Sequence, residues 1–202
     1  MLRFAFIIAA GIAASCAVTG QVRADGPFKG PWVGAEAGYE RYSSELKGGS
    51  VGVSAGWDAP VGENWIAGVE VGYAAPGAEA TESLPAITLF TATQTVSTKD
   101  RISGRIRFGR VFGDSVLVYG AIGGERFDVE GTITTRPTAA CTTPATCRTT
   151  VQSVSFEEEA VTAGVGVEWA IGERWRVRAA YDRADGDAFT RNAVSAGIAF
   201  SF

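Results

Sequence analysis

Apolar and polar residues alternate along most of the chain after its first 24 residues. In "NAVSAGIAFSF", Val194, Ala196, Ile198, Phe200 and Phe202 are spaced two apart, with small or polar residues between them. Such alternation predicts a β-strand with one apolar face and one small or polar face. Seven earlier runs bring the predicted total to eight strands: "WVGAEAGYERY", "SVGVSAGWD", "WIAGVEVGY", "RISGRIRFG", "VLVYGAIGGERF", "AVTAGVGVEWA" and "WRVRAAYDR".

Two of these regions leave their register open. In "VLVYGAIGGERF", residues 116–127, both faces are apolar or small, so the alternation does not choose between them. Phe156 and Trp169 are thirteen residues apart and cannot share a face of one regular strand. Either a bulge intervenes in the strand that ends near Ala170, or "SFEEE" belongs to the preceding loop.

The links between the predicted strands differ in length. The turns "APVGEN", "FGDS" and "IGER" are short and polar and join strands two to three, four to five and six to seven. The other links are "SSELKGG", roughly residues 75–97, roughly residues 130–152, and "ADGDAFT". Short turns at one end and longer loops at the other are typical of an outer-membrane barrel. A soluble sandwich or lipocalin would show no such rule and would turn its polar face outward.

The first 24 residues have the features of an export signal. Arg3 supplies a positive charge, "FAFIIAAGIAA" an apolar segment, and "VRA" a cleavage site after Ala24. We therefore expect a signal at residues 1–24 and one domain at 25–202; a lipid-modified Cys16 is the rival interpretation. The apolar segment is shorter than the roughly 20 residues of a spanning helix, and no later run approaches that length. Any membrane span would therefore consist of strands.

The aromatic residues provide a second test of this interpretation. We assign every tryptophan to the short-turn end of a strand and three tyrosines to the loop end, all on the apolar face. Two such belts are typical of the girdles at the two membrane–water boundaries, whereas the rival is a single soluble core. The predicted girdle comprises Trp32, Trp57, Trp65, Trp169, Trp175, Tyr39, Tyr73 and Tyr181.

The opposite face combines small residues with a few charges. An eight-stranded barrel has an interior that side chains just fill, and unpaired charges there would be costly. Counted from the turns, Glu70 lies level with Arg105 or Arg107, and Glu168 lies near Arg176 or Arg178. The predicted lumen charges are Glu36, Glu70, Arg105, Arg107, Glu168, Arg176, Arg178 and Asp182.

Charge and composition weigh against several classes of function. The signal carries two arginines and no acid, so its removal changes the net charge from −4 to −6, which argues against a nucleic-acid partner. The chain has no histidine, which excludes Ser–His and Asp–His catalysis. A carboxylate pair remains possible in principle, but Glu36 and Glu70 have arginine neighbours. "RADGDAFT" is too short for a twelve-residue calcium loop. We expect no enzyme activity, no cofactor and no metal.

With these features the chain resembles the small bacterial outer-membrane barrels of the OmpA/OmpX-like and opacity-protein type. The resemblance rests on "WVGAEAGY", the eight alternating runs and "AGIAFSF". It implies an all-β, eight-stranded antiparallel up-and-down transmembrane β-barrel in the bacterial cell outer membrane, in contact with its lipid. In that family the barrel-assembly machinery binds the last strand with its final aromatic residue. The resemblance therefore implies that Phe200 and Phe202 form an assembly signal. No peptidoglycan-binding domain is expected.

Two cysteines lie in the second long loop. Cys141 and Cys147 enclose "TTPAT" within a threonine-rich segment. An exported protein matures where disulfides persist, so we predict a Cys141–Cys147 bridge that restricts this loop. The rival is a pair of reduced thiols.

Three functions follow from this sequence. The leading expectation is a non-enzymatic barrel for envelope integrity and for surface contact or adhesion, with a surface or host ligand bound by its long loops. The alternative is a narrow porin-like channel for ions or small solutes, although open channels usually need about 16 strands. The third is a soluble periplasmic barrel that holds a lipid, whose outward apolar residues would then be an aggregation liability.

Overall fold

Nine antiparallel strands form the described part of the chain. The computed structural model describes residues 26–43, 46–87, 90–137, 148–187 and 189–202. The predicted signal, Cys16 and the predicted Cys141–Cys147 bridge lie outside these residues. The strands are β1 (Gly30–Tyr42), β2 (Lys47–Pro60), β3 (Trp65–Pro76), β4 (Glu79–Ile87), β5 (Phe90–Phe112), β6 (Val116–Pro137), β7 (Thr150–Ile171), β8 (Trp175–Gly186) and β9 (Thr190–Ser201).

Eight of these strands close into a barrel. The ring runs β1-β2-β3-β5-β6-β7-β8-β9, and β9 pairs back with β1 through partners such as Val33 and Phe200. Closure leaves the barrel itself without a free sheet edge. The prediction of an all-β, eight-stranded antiparallel barrel is therefore confirmed. Among the described residues, no helix is long and apolar enough to cross a membrane.

The short connections gather at one end of the barrel, here called the short-turn end. Phe112 pairs with Val116 and Ile171 pairs with Trp175, so only three residues lie in each of these turns. Gly113 and Asp114 both have φ near +60°, and Gly172 has φ +71°. This left-handed conformation reverses the chain within so few residues, and glycine adopts it without steric cost.

At the other end, three adjacent strands continue far beyond the other strands of the barrel. β5, β6 and β7 have 22 or 23 residues each, and β4 pairs with the extended part of β5. We call β4 together with residues 90–98, 129–137 and 150–159 the protruding sheet. The prediction of loops at 75–97 and 130–152 was therefore wrong for most of those residues. Their threonines are β-branched and favour strands even when both faces are polar.

Both open registers are resolved. In β6, Leu117 and Tyr119 face the lumen, whereas Val118 and Ile122 face outward. β7 pairs with β6 without interruption from Thr150 to Trp169, so it has no bulge there, and "SFEEE" is part of the strand. Phe156 consequently lies on the inward face, opposite to that of Trp169. The bulge is instead in β5, where the pairing with β6 shifts between Thr98 and Arg101.

The two faces of the barrel wall differ sharply. Outward residues such as Val51, Ile106 and Val165 are more than half exposed, which suits contact with lipid tails. Inside, buried apolar residues form one layer near each end. The layer at the short-turn end consists of Phe28, Ile66, Leu117 and Tyr119; the other consists of Tyr42, Leu46, Ala78, Phe127, Val129, Ala160 and Ala184.

Candidate functional site

The lumen near the short-turn end contains a dense group of ion pairs, here called the inner ion cluster. Arg107 bridges two acids, with Nη1 2.8 Å from Glu168 and Nε 3.1 Å from Asp58. Arg176 contacts the same two acids at 2.8 and 3.0 Å. Equal numbers of acids and arginines make the cluster neutral overall. Its members are Asp58, Glu70, Glu168, Arg107, Arg176 and Arg178.

Glu70 links this cluster to the middle of the lumen. It lies directly opposite Arg105 across the β3–β5 pair and forms an ion pair with it. Arg178 also reaches Glu70, at 3.0 Å, and donates hydrogen bonds to Ser54 and Tyr119. On the far side, Arg105 Nη1 lies 2.6 Å from Asp182. The carboxylates are therefore held by guanidinium groups, as a low-dielectric interior requires.

Trp32 lies inside the barrel and not in the predicted outward girdle. Its side chain is 1% exposed, and the guanidinium groups of Arg107, Arg176 and Arg178 lie 5.1–5.2 Å from its ring centre. The prediction was wrong because Trp32 has the sequence parity of the inward residues of β1, whereas Val33 faces outward. Three cations around one indole ring give cation–π attraction in a desolvated site.

Glycines on the neighbouring strands make room for the two large aromatic rings of the lumen. A Cβ atom added at Gly56 of β2 would lie 2.5 Å from Trp32 Cζ2. Likewise, a Cβ atom at Gly166 of β7 would collide with the Tyr119 ring. Gly56 and Gly166 are therefore required by close packing and not by unusual backbone angles.

A second group of charges, here called the outer ion cluster, lies toward the protruding sheet. Arg191 donates both Nε and Nη2 to the Glu125 carboxylate, at 2.8 and 2.5 Å. Arg101 Nη1 donates to Glu40, which also accepts a hydrogen bond from Tyr42. Sequence reasoning missed these four charged residues and Asp58. The parity of their strands could have found Glu40 and Asp58, since both alternate with outward apolar residues.

The lumen is filled in layers along the barrel axis. An apolar layer, the inner ion cluster, the outer ion cluster and a second apolar layer follow one another from the short-turn end. Between the two ion clusters is a cavity of about 30 Å³, lined in part by Arg101, Arg105, Glu125, Asp182 and Arg191. Such a space holds about two water molecules. All eight predicted lumen charges lie on this inward side. The Glu36 side chain is 19% exposed, and one of its carboxylate oxygens lies 4.0 Å from Arg178 Nε.

The other predicted girdle residues lie on the outward face, as do Phe200 and Phe202 of the predicted assembly signal. At the short-turn end Trp65 stacks on Phe108, with ring centres 4.9 Å apart, and Phe200 packs edge-on against both Trp175 and Phe202. Tyr73 and Tyr181 donate hydrogen bonds to Asp100 and Asn192 at the opposite end. The outward residues of the predicted girdle are Trp57, Trp65, Trp169, Trp175, Tyr39, Tyr73 and Tyr181.

The protruding sheet has two chemically different faces. The face that continues the outer surface of the barrel wall, here called the convex face, carries threonines, serines and acids, among them the cross-strand pairs Thr81–Thr95 and Thr132–Ser153; the opposite face is called the concave face. Its concave face is more apolar and continues the apolar layer below it, where Phe156 stacks on Phe189. Ile133, Phe156 and Val154 on this face are 38, 43 and 68% exposed. The concave face is thus an exposed apolar surface outside the barrel wall.

One edge of this sheet has no neighbouring strand. β7 pairs with β8 only from Ala160 onward, so residues 150–159 have β6 on one side and no described strand on the other. At about 3.3 Å per residue, this free edge is roughly 30 Å long. Its backbone groups form a template on which another extended chain could pair.

The described residues offer no arrangement for metal chemistry. No group of three or more acids, histidines or cysteines among them is placed to hold an ion. Asp185 in "RADGDAFT" instead forms an ion pair with Arg183 at 3.0 Å.

Comparisons with known proteins agree with this architecture. The outer membrane protein beta-barrel domain family matches residues 8–202. A search of curated proteins found no match. The structure is similar to Ail, the attachment invasion locus protein of Yersinia pestis, in its complex with the heparin analogue sucrose octasulfate. Identity is 12% over 86% of this chain and 99% of that chain, with a TM-score of 0.52.

Two further structures show comparable similarity. Neisserial surface protein A is 14% identical over 86% of this chain and 98% of that chain, with a TM-score of 0.48. OprG of Pseudomonas aeruginosa is 12% identical over 88% of this chain and 98% of that chain, with a TM-score of 0.47. At 12% identity, the likeness to Ail shows the fold alone.

Proposed function

The chain belongs to the outer membrane protein β-barrel domain family, and on this premise we propose that it is a non-enzymatic scaffold of the bacterial outer membrane. In this proposal the barrel supports envelope integrity, and the protruding sheet makes contact with external surfaces. The short-turn end faces the periplasm, as in barrels of this kind. Outer-membrane lipid surrounds the barrel wall, and the assembly machinery binds the strand that contains Phe200 and Phe202.

The protruding sheet is the observation that supports surface contact. A barrel that is only anchored in the membrane needs strands just long enough to cross the membrane. β5, β6 and β7 nevertheless continue for nine or ten residues beyond the other strands of the barrel. Ordering a residue's backbone costs about 1–2 kcal/mol, so a sheet kept outside the membrane indicates a use there. Polar segments presented on a rigid scaffold are where binding function concentrates.

The lumen favours a scaffold over an enzyme or a channel. Glu70, Glu168 and Asp58 are each within ion-pair distance of at least two arginines, which leaves them poorly suited to proton transfer. The two apolar layers and two ion clusters occupy the axis along which a solute would pass. We therefore propose neither catalysis nor conduction.

The test is a barrel from which the outer half of the protruding sheet has been removed. One variant lacks residues 82–94 and 133–152, and Asn-Gly joins Thr81 to Thr95 and Thr132 to Ser153. Those residues are already cross-strand partners, and Asn-Gly favours the two-residue hairpin turn. The matched control carries Asn-Gly in place of Gly113–Ser115 at the opposite end.

In a strain that lacks the chain, we expect the excised variant to restore detergent resistance as well as the full chain does. We expect it to lose adhesion of the cells to polystyrene and to an epithelial monolayer, whereas the control keeps both properties. Heat-modifiable migration on a detergent gel verifies that each barrel is folded. Undiminished adhesion of the excised variant would refute the contact role.

A further inference from the structure

One charged residue lies on the outward wall of the barrel near the short-turn end. Arg110 is exposed there and shares its strand parity with the outward residues Ile106 and Phe108. The other outward cations of the described strands lie at the opposite end of the barrel or on the protruding sheet. A charge on a lipid-facing wall is tolerated near the membrane boundary, where its charged group reaches a polar environment. Arg110 is therefore expected to meet an opposite charge at this boundary.

Aromatic rings position Arg110. Its guanidinium carbon lies 5.4 Å from the centre of the Phe112 ring and 5.8 Å from the centre of the ring of Trp65, its cross-strand partner on β3. Among the described residues, Arg110 has no acidic partner. Cation–π attraction acts through the ring faces and leaves the N–H donors of the guanidinium free. The wall thus presents a positioned cation with unused donors to the lipid boundary.

An apolar groove lies on the outward wall beside this arginine, here called the wall groove. Val118 is the direct partner of Arg110 across the β5–β6 pair and lines the groove, whose volume is about 410 Å³. Ala179 has the smallest side chain among the outward residues that line it, so the wall is recessed there. These outward lining residues are Val118, Val165, Val167, Ala179, Tyr181 and Val194.

The strand registers show the direction in which the wall groove runs. Arg110, Val118, Val167 and Ala179 are successive cross-strand partners on β5, β6, β7 and β8. The first two lie two residues from the short-turn end of their strands, whereas the last two lie four residues from it. The groove therefore rises from Arg110 toward the middle of the membrane. Three strand spacings give roughly 14 Å along the wall, comparable with the roughly 15 Å depth of one leaflet of the hydrocarbon core.

We propose that Arg110 and the wall groove bind one anionic phospholipid of the periplasmic leaflet, with its phosphate on Arg110 and one acyl chain in the groove. The planar guanidinium suits the oxygens of a phosphate, with which it forms charge-assisted hydrogen bonds. An anionic headgroup is favoured over a zwitterionic one, because it brings no cation of its own to compete for that phosphate. This inference goes beyond the proposed scaffold function but rests on its membrane location and orientation.

The test measures which lipid stays bound to the full mature chain. The folded barrel in detergent micelles receives equal amounts of dioleoyl phosphatidylglycerol and dioleoyl phosphatidylcholine. Native mass spectrometry then counts the lipids that remain on the protein after the detergent has been removed. We expect one phosphatidylglycerol per chain, retained several times more often than phosphatidylcholine.

The phosphate half of the site is tested by Arg110→Gln. This substitution removes the cation and should lower the retention of phosphatidylglycerol roughly tenfold or more, as expected for loss of a hydrogen bond between charged groups. The matched control is Arg174→Gln, which removes an exposed cation from the short turn between β7 and β8 at the same end and should leave retention unchanged.

The acyl half is tested by Ala179→Phe, which fills the wall groove and should lower the retention of dioleoyl phosphatidylglycerol severalfold. Dihexanoyl phosphatidylglycerol, whose chains are too short to occupy the groove, should bind more weakly and should not respond to this substitution. The matched control is Ala55→Phe, which adds the same ring to the outward face of β2, between Val33 and Val71, and should retain the lipid.

Equal retention of the two headgroups overturns the site, as does undiminished retention by Arg110→Gln or Ala179→Phe. A loss that the control variants share shows general lipid coating and also overturns it. Displacement of the lipid by excess glycerol phosphate would assign Arg110 to a free phosphate instead. Heat-modifiable migration verifies that every variant is folded. The adhesion test above does not involve Arg110, so failure of the lipid site leaves the proposed surface contact standing.

Discussion

At the scale of single residues, strand parity decides the side of the wall on which a side chain lies. Trp32 shares its parity with inward Gly34, and Val33 beside it faces outward. An indole at this height could lie in a membrane girdle, but the three arginines of the inner ion cluster offer its ring a buried cationic environment. The fit depends on the absence of a side chain at Gly56.

We predict that Gly56→Ala lowers the free energy of unfolding by about 1–3 kcal/mol, because the new methyl group overlaps the Trp32 ring. The matched control is Gly104→Ala, where an added Cβ has no heavy atom within 4 Å and should change stability by less than about 0.5 kcal/mol. Urea titration of the folded barrel in detergent micelles measures both. Equal stability of the two variants would show that the ring does not need this space.

The same parity rule explains which lumen charges could be predicted. Glu70 and Arg105 lie in the middle of clearly alternating strands and are direct cross-strand partners. Arg101 and Arg191 lie where the alternation begins, and Glu125 lies in the ambiguous run. Arg101 has the parity of Arg105 and Arg107, and Arg191 has that of inward Ala193, so parity gives their orientation once the strands are extended to these residues. The orientation of Glu125 depends on the β6 register, which is set by contacts between strands far apart in sequence.

At the scale of strands, the sequence predicts the barrel and misses the protruding sheet. Period-two alternation reveals a strand only when one of its faces is apolar. Above the membrane the contrast weakens, since Thr91, Thr93 and Thr95 alternate with small or polar neighbours. The threonines still favour an extended backbone, and pairing between β5, β6 and β7 propagates from the barrel upward. Loop-like composition outside a barrel therefore does not exclude a strand.

We predict that trypsin added to intact cells cuts after Arg148, which is exposed at the far end of the protruding sheet; Arg136 is followed by Pro137, and trypsin does not cleave an Arg–Pro bond. Arg110 and Arg174 are also exposed but lie at the short-turn end, so they should remain intact on the periplasmic side. Mass spectrometry of the membrane-bound fragments identifies the sites. A variant with Arg148→Gln serves as control and should resist cleavage at this site. Cuts after Arg110 or Arg174 in intact cells would reverse the proposed orientation.

At the scale of the whole molecule, the barrel is a closed wall around a solid interior. Its outward face is apolar, whereas its charges are collected inside and neutralise one another in two clusters. Removing one partner from such a buried pair lowers the free energy of unfolding by more than the intact pair contributes to it, because the remaining charge is left buried without an opposite charge. The lumen therefore holds the eight strands in one arrangement and gives the protruding sheet a rigid base.

This interior predicts the behaviour of the barrel in a planar bilayer. We expect the folded mature chain to show no steady conductance, because apolar layers lie near both ends of the lumen and the cavity that the described residues line between the ion clusters is about 30 Å³. Glu70→Ala and Arg105→Ala each remove one partner of a lumen ion pair. Both variants should likewise show no steady conductance, since the apolar layers remain. A steady conductance that either substitution alters would show that ions pass through these clusters. The side chains of the lumen would then have to exchange between a closed and an open arrangement, and a channel function would replace the proposed scaffold function.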